Sequence, residues 1–328
     1  MKKYILLILT IILAVAALSA QQRPLRPAHT FSIVARDSVT GELGVAVQSH
    51  WFSVGSSVTW AEAGVGAVAT QSFIEPSYGP LGLALMKAGK TAEEALSALL
   101  SVDPGKEVRQ VAMVDARGNV AVYTGKKCII EAGDQKGKQF SCQANLMEKN
   151  TVWDAMARAY ETSKGDLTDK LMAALEAAQA EGGDIRGRQS AAILIVPGKS
   201  AGAPWREKVI DLRVEDNTEP LKELKRLIKV HRAYQHMNKG DEYFSGGNTK
   251  MAVKEYSTAM SIYPENVEII YWAAVTMAGA GEVNEALPLF KQVFGKNKKW
   301  MELTKRLPHS DLLPDDPDLI KKILSVGR

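Results

Sequence analysis

The residues with the most chemistry to offer open the stretch "HTFSIVARD", His29 to Asp37. A threonine can attack an amide carbonyl without help from a histidine if it is the first residue of its chain. Its own α-amine, with an ordinary pKa near 7.7–8.0, then accepts the hydroxyl proton and returns it to the leaving group. A peptide-bonded nitrogen has no usable lone pair, so this chemistry requires a cut between His29 and Thr30. The plainer reading of Thr30 is a β-favouring residue at a strand start. Histidine-based catalysis has little to work with. The chain has five histidines, and His50 is the one that falls among the strands. Ser49 and His50 are neighbours in a strand, so their side chains point to opposite faces and cannot form a dyad with each other.

Other polar residues could complete such a site. Ser32 lies two residues beyond Thr30 on the same strand face, and its plain reading is a polar residue packed between sheets. Gln48 and Ser49 could hydrogen-bond near a scissile carbonyl. Gln71, Ser72, Glu75 and Tyr78 lie between a strand and a helix, where backbone donors converge. Asn145 ends a strand and could stabilise an oxyanion, or simply serve a turn. Arg186 and Arg188 could hold a substrate carboxylate, or pair internally with Asp37 or Glu75. Asp37 reads as a turn acid. The sequence has no G-x-S-x-G elbow, no H-E-x-x-H and no G-x-x-x-x-G-K-[ST] phosphate loop. "GVGAVA" at 64–69 reads as part of a strand hairpin, with no helix opening after it.

The elements that must position these residues alternate in batches. "TFSIVAR" and "ELGVAVQSH" flank a "DSVTG" turn. "SVGSSVTW" and "VGAVATQS" flank "AEAG". Helical patterns follow at 79–88 and 91–101, the second with Thr91 as a start and Glu93 and Glu94 in its first turn. "RQVAMVDARGNVAVYTG" is a hairpin around Gly118-Asn119, and "KKCIIEA" with "KQFSCQA" reads as another. Helices at 151–162 and 167–181 precede the strands "QSAAILIV" and "EKVIDLRVE". Four strands, two helices, four strands, two helices and two strands predict a four-layer αββα sandwich.

Composition bounds the rest. The chain has 328 residues and a formal charge of +4, a length that suggests two domains. Residues 1–20 read as a secretory signal peptide: Lys2 and Lys3, a short apolar run, then small residues at Ala17, Ser19 and Ala20. The expected location is exported, periplasmic or secreted, with no membrane span remaining. Loss of the two lysines leaves +2 (4 minus 2), which offers no electrostatic case for nucleic acid. Residues 21–29 read as a leader or spacer. Cys128 and Cys142 are the two cysteines. They read equally well as a disulfide or as buried thiols.

From Glu219 the pattern becomes helical, so the domains divide as 30–216 and 217–328. A 34-residue period relates Gly247 to Gly281, Ala252 to Ala286 and Tyr256 to Phe290. With Tyr243, Ala259 and Pro264, the stretch at about 233–299 resembles tetratricopeptide repeats, one good copy and one degraded. Such helices could dock a protein partner or extend the core of their neighbours.

The stretch from His29 to Met86 ("HTFSIVARDSVTGELGVAVQSHWF…GPLGLALM"), with "SCQANLM", "GGDIRGRQSAAILIV" and "DLRVED", resembles a bacterial family catalogued only as "domain of unknown function 1028". The resemblance runs from about Thr30 to about Tyr234. It implies a fold of the N-terminal nucleophile (Ntn) hydrolase superfamily, the αββα sandwich already expected, and leaves the substrate open. The resemblance implies that relatives often begin directly at the threonine after methionine removal, whereas this sequence places a signal peptide and "QQRPLRPAH" before it. In proteasome-type Ntn enzymes an acid lies late in the second strand; here Gln48 takes that place, and Glu62 stands nearest where those enzymes keep a lysine. The reading is an exported amidohydrolase acting on a small amide or peptide through Thr30, with no cofactor and no metal. The alternatives are a non-catalytic binding protein and a structural component that forms a homodimer through its helices.

Overall fold

The computed structural model describes residues 30–203 and 206–327. The signal peptide and the leader expected at 1–29 lie outside the described residues. The chain divides into two compact units between Leu224 and Lys225.

Among the described residues, the first unit carries ten strands. These are β1 (Thr30–Arg36), β2 (Leu43–Ser49), β3 (Thr59–Glu62), β4 (Gly66–Ser72), β5 (Arg109–Asp115), β6 (Val120–Thr124), β7 (Gly133–Gly137), β8 (Phe140–Ala144), β9 (Ser190–Val196) and β10 (Ile210–Val214). They form two antiparallel sheets, ordered β10-β9-β2-β1-β8-β7 and β3-β4-β5-β6. The helices are α1 (Gly55–Val58), α2 (Tyr78–Lys87), α3 (Ala92–Val102), α4 (Val152–Thr162) and α5 (Leu167–Ala180). α2 and α3 cover the four-stranded sheet, and α4 and α5 cover the six-stranded one. The two sheets pack face to face between these helix layers, giving the expected αββα order.

Two stretches differ from the sequence reading. "SVGSSVTW" divides into the helical turn α1 and the short β3, because Ser-Ser at 56–57 lets the chain close a turn and Thr59 then caps back to the Gly55 carbonyl. "KKCIIEA" is no strand. β7 starts at Gly133 and the hairpin turns at Lys138-Gln139, so the stretch expected to turn is itself the strand. Cys128 therefore lies in a loop while Cys142 lies in β8. Both are free and buried, which settles the open choice in favour of separate thiols.

Strand alternation assigns the faces. Phe31, Ile33 and Ala35 register with Ala144, Cys142 and Phe140; the Phe140 ring sits 4.6 Å from that of Tyr160 on α4, so this face meets the helices. Gly44 is on the same side, where a Cβ would come within 2.8 Å of Leu171 on α5. The opposite face of β1 carries Thr30, Ser32 and Val34 and looks into the space between the sheets. Between the sheets Val34, Val45, Ala69, Ala112, Val114 and Leu194 belong to one apolar cluster. The expected start of the second helix holds: Thr91 and Glu94 form a reciprocal capping box.

The second unit continues α6 (Pro220–Ser245) and adds α7 (Thr249–Ile262), α8 (Val267–Gly279), α9 (Val283–Lys296), α10 (Lys299–Thr304) and α11 (Pro317–Ser325). α7 and α9 start 34 residues apart (283 minus 249). Gly247 and Gly281 precede them at φ +76° and +87°, a conformation that favours glycine. Ala252, Ala286, Tyr256 and Phe290 are all buried, so the period is a packing period.

Candidate active site

The face of β1 that looks between the sheets changes character along its length. At Val34 it meets valines and alanines; at Ser32 and Thr30 it meets hydroxyls and amides. The Thr30 hydroxyl donates to Ser49 Oγ at 3.3 Å, and both residues are fully buried. This pair follows from register, since Thr30 stands opposite Ser49 and Ser49 opposite Ser190.

The Thr30 carbonyl collects three donors: the Asn145 backbone N–H at 3.1 Å, Asn145 Nδ2 at 3.4 Å and Gln71 Nε2 at 3.3 Å. Gln110 ties these together. Its Oε1 accepts from Gln71 Nε2 at 2.7 Å and Asn145 Nδ2 at 2.8 Å. Its Nε2 donates to Ala144 O at 2.9 Å, Gly133 O at 3.2 Å and Thr124 Oγ1 at 2.9 Å. Thr124 in turn donates to Asp134 at 2.6 Å. Ser32 accepts from Gln143 Nε2 at 2.6 Å, and Ser141 donates to Gln143 Oε1 at 3.0 Å. Among the described residues, Gln71 Oε1 is buried with no hydrogen-bond partner. A buried acceptor left so is uncommon and calls for an unfilled role.

The structure thus gathers Thr30, Ser32, Ser49, Gln71 and Asn145, and it places the other candidates elsewhere. Gln48 lies on the opposite face of β2, registered with Phe31, and its Nε2 donates to Gln179 on α5 at 2.9 Å. It was grouped with Ser49 in the sequence, yet adjacent strand residues cannot share a face. Glu75 lies in the loop after β4, where its carboxylate accepts from the Ser77 N–H. Arg186 grips Asp184 with Nε at 3.0 Å and Nη2 at 2.7 Å, while Asp184 also accepts from the His50 N–H at 3.0 Å. Arg188 pairs with Glu219 at 2.6 Å on the surface. The internal partners are therefore Asp184 and Glu219, in place of Asp37 or Glu75. Asp37 accepts from the Val39 and Thr40 N–H groups and pairs with Lys170 at 3.3 Å, at the far end of β1.

Gln110, Gln143, Thr124 and Asp184 escaped the sequence reading. The signal was there for Gln110: it is the polar end of a strand face whose next members are Ala112 and Val114. Which strand it would face was not in the pattern. Burial pushes the thiols of Cys128 and, further, Cys142 up, so neither supplies a thiolate nucleophile near neutral pH. No described helix is long and apolar enough to cross a membrane.

An αββα sandwich with a buried hydroxyl–amide cluster at one end of its inter-sheet space, followed by a helical unit, is the class of protein that fold and site define. The family model described as "Family of unknown function (DUF1028)" matches residues 30–224, and the chain belongs to that family. It is also similar to the crystal structure of protein SPO2555 from Silicibacter pomeroyi, itself matched by the same family model. The identity is 29%, the TM-score 0.55, and the match covers 62% of this chain and 88% of that one. No curated protein matches the chain.

Proposed function

We propose that this protein is an exported amidohydrolase of the Ntn class, cleaving an amide or peptide bond through Thr30 after the chain is cut before that residue. The observation that carries the reading is the position of Thr30. It stands at the start of a central strand, its hydroxyl paired with Ser49 at 3.3 Å and its carbonyl fixed by Asn145 and Gln71. Main-chain anchoring of this kind holds the residue in one orientation, which is what a nucleophile whose base is its own amine needs. The amine would take the hydroxyl proton as the hydroxyl oxygen attacks the acyl carbon, the C–N bond would break with that proton passed to the leaving nitrogen, and water would then hydrolyse the ester and restore the hydroxyl. Asn145 and Gln71 act as positioning residues on Thr30 in this scheme.

A second reading rests on a specific observation. The amide donors of Asn145 and Gln71 point at the carbonyl of Thr30 itself, so much of the cluster satisfies itself without a substrate. On that reading the sandwich is a binding or scaffold protein, and the 34-residue helix pairs, tetratricopeptide-like in period and packing, dock a peptide partner.

N-terminal sequencing and intact mass of the exported protein separate the two. A chain starting at Thr30 that takes one equivalent of a hydroxyl-acylating probe, with labelling abolished in Thr30→Ala, supports the enzyme. A chain starting at Gln21 that takes no label favours the scaffold.

A further inference from the structure

A cleft of about 240 Å³ opens where the turn after β1, the β7–β8 turn and the end of α4 meet. Arg36, Asp37, Lys138, Tyr160, Glu161 and Lys170 line it. Thr30 and Arg36 are the two ends of β1, about 20 Å apart, so this cleft is separate from the cluster around Thr30. Three cations face two carboxylates in the lining, which leaves one positive charge. Asp37 is already saturated: it accepts from the Val39 and Thr40 N–H groups, the Thr40 hydroxyl and Lys170.

Two donors in the lining lack the partners their burial calls for. Arg36 is half-buried, and its guanidinium meets only neutral acceptors. Nε donates to the Ala116 carbonyl at 2.9 Å and Nη1 to Gln139 Oε1 at 2.6 Å. Among the described residues it forms no ion pair, and Nη2 donates to nothing. Arginine in such a place is normally paired with a carboxylate or a ligand oxyanion. The two bonds it does make hold its plane still, so a ligand does not have to order it. The second donor is Tyr160, 9% exposed, its ring packed on Phe140. Burial first, and then the charge of Asp37, push its pKa up. The hydroxyl therefore lies towards Asp37, at the cleft, and stays protonated. Among the described residues it has no hydrogen-bond partner, although a buried tyrosine usually finds one.

We propose that this cleft binds a small carboxylate, whose oxygens are received by Arg36, Lys138 and the Tyr160 hydroxyl. A monoanion matches the single net positive charge, whereas a phosphate dianion would meet Asp37 and Glu161 with a charge to spare. The site owes nothing to the Thr30 chemistry. The test uses the full chain with 15N-labelled arginine, the Arg36 Nε–H signal being assigned by its loss in Arg36→Lys. Sodium acetate and sodium lactate are titrated in, with ionic strength held constant by chloride. The expected result is a saturable shift of the Arg36 signal. Affinity should fall about five-fold in Tyr160→Phe and about three-fold in Lys138→Gln. It should be unchanged in Lys126→Gln, an exposed lysine outside the cleft. Tyr160→Phe keeps the ring on Phe140 and Lys138 is exposed, so circular dichroism should show both variants folded. A shift that never saturates would overturn the proposal. Unchanged affinity in Tyr160→Phe would do the same, since the phenol would then only pack. Equal weakening by Lys126→Gln and Lys138→Gln would reduce the effect to general surface charge and overturn it as well. Phosphate binding tighter than either carboxylate would show the ligand class to be wrong.

Discussion

The two halves of the inter-sheet space use the same strands and the same pairing, yet they are built on opposite principles. In one half Val34, Val45, Ala69, Ala112 and Val114 fill the space with methyl groups, and any residue of similar volume would serve about as well. In the other half Thr30, Ser32, Gln71, Gln110, Gln143 and Asn145 are just as buried, and each depends on named partners. Burying amides adds little net stability even when they are fully bonded, and it is strongly unfavourable when they are not. A core that could have been valine throughout but turns to glutamine at one end is organised there for something other than stability.

The sharpest way to break this contrast is Gln110→Leu. The leucine fits the volume but removes two acceptor contacts and three donor contacts, taking from Gln71 Nε2 and Asn145 Nδ2 the buried oxygen they share. The expected loss is about 3 kcal/mol by urea unfolding, with hydroxyl-probe labelling of Thr30 reduced at least ten-fold. In the apolar half, Val45→Ala should lower stability by about 2 kcal/mol and leave labelling unchanged. If both variants damage labelling equally, the halves are one mechanical unit and the comparison fails. Ser32→Ala sharpens the picture within the polar half. It frees Gln143 Nε2 from a 2.6 Å bond but leaves the Thr30 anchors alone, so about 1 kcal/mol should be lost with labelling kept. Free thiols give an independent check on the strand assignment. Cys128 and Cys142 should resist alkylation at pH 8 in the native state, and both should react once the chain unfolds.

How much of this could be read from the sequence depends on the range of the cause. The layered sandwich was legible because it follows from local alternation and the order of strands and helices. Thr91 and Glu94 announced a helix start three residues apart, and the capping box is there. The hairpin at 127–144 was misplaced because Gly133–Gly137, "GDQKG", has the composition of a turn. It becomes a strand only because β8 pairs with it, a tertiary preference overriding a local one. The site was half legible. Thr30 and Ser32 share a face by simple counting and Asn145 lies just past a strand end as expected, whereas Gln71, expected between a strand and a helix, is inside β4 opposite Gln110. Gln110 acts across the gap between two sheets, and no local pattern states which residue it will meet. Gln48 shows the opposite error, since it stands where proteasome-type enzymes keep an acid yet lies on the helix-facing side of β2, opposite Phe31, with its amide on Gln179.

The smallest predicted effect concerns pH, and it separates the halves by a different property. The polar cluster around Thr30 is made of hydroxyls and amides, so its contribution to stability should be flat across the mildly acid range. An acid-sensitive element lies at the other end of β1, one of several carboxylates held below their ordinary range, Asp103 and Glu207 among them. Burial would raise the pKa of Asp37, but the Thr40 and Val39 N–H groups and Lys170 outweigh it and hold the carboxyl below its ordinary value of 3.8. The sign follows directly. The unfolded chain takes up this proton at higher pH than the folded one, so the stabilisation is present above about pH 4 and is lost as pH falls through the folded pKa. Wild-type stability should therefore hold level from pH 7 to about 5 and decline below 4. Asp37→Asn should lower the plateau and flatten the decline. Gln110→Leu should lower the plateau by more and leave the shape of the acid limb as it is. An acid limb altered by Gln110→Leu, measured by urea midpoints from pH 3 to 7, would mean that the amide cluster is coupled to a titrating carboxylate, and Asp134, reached through Thr124, would then be the group to replace next.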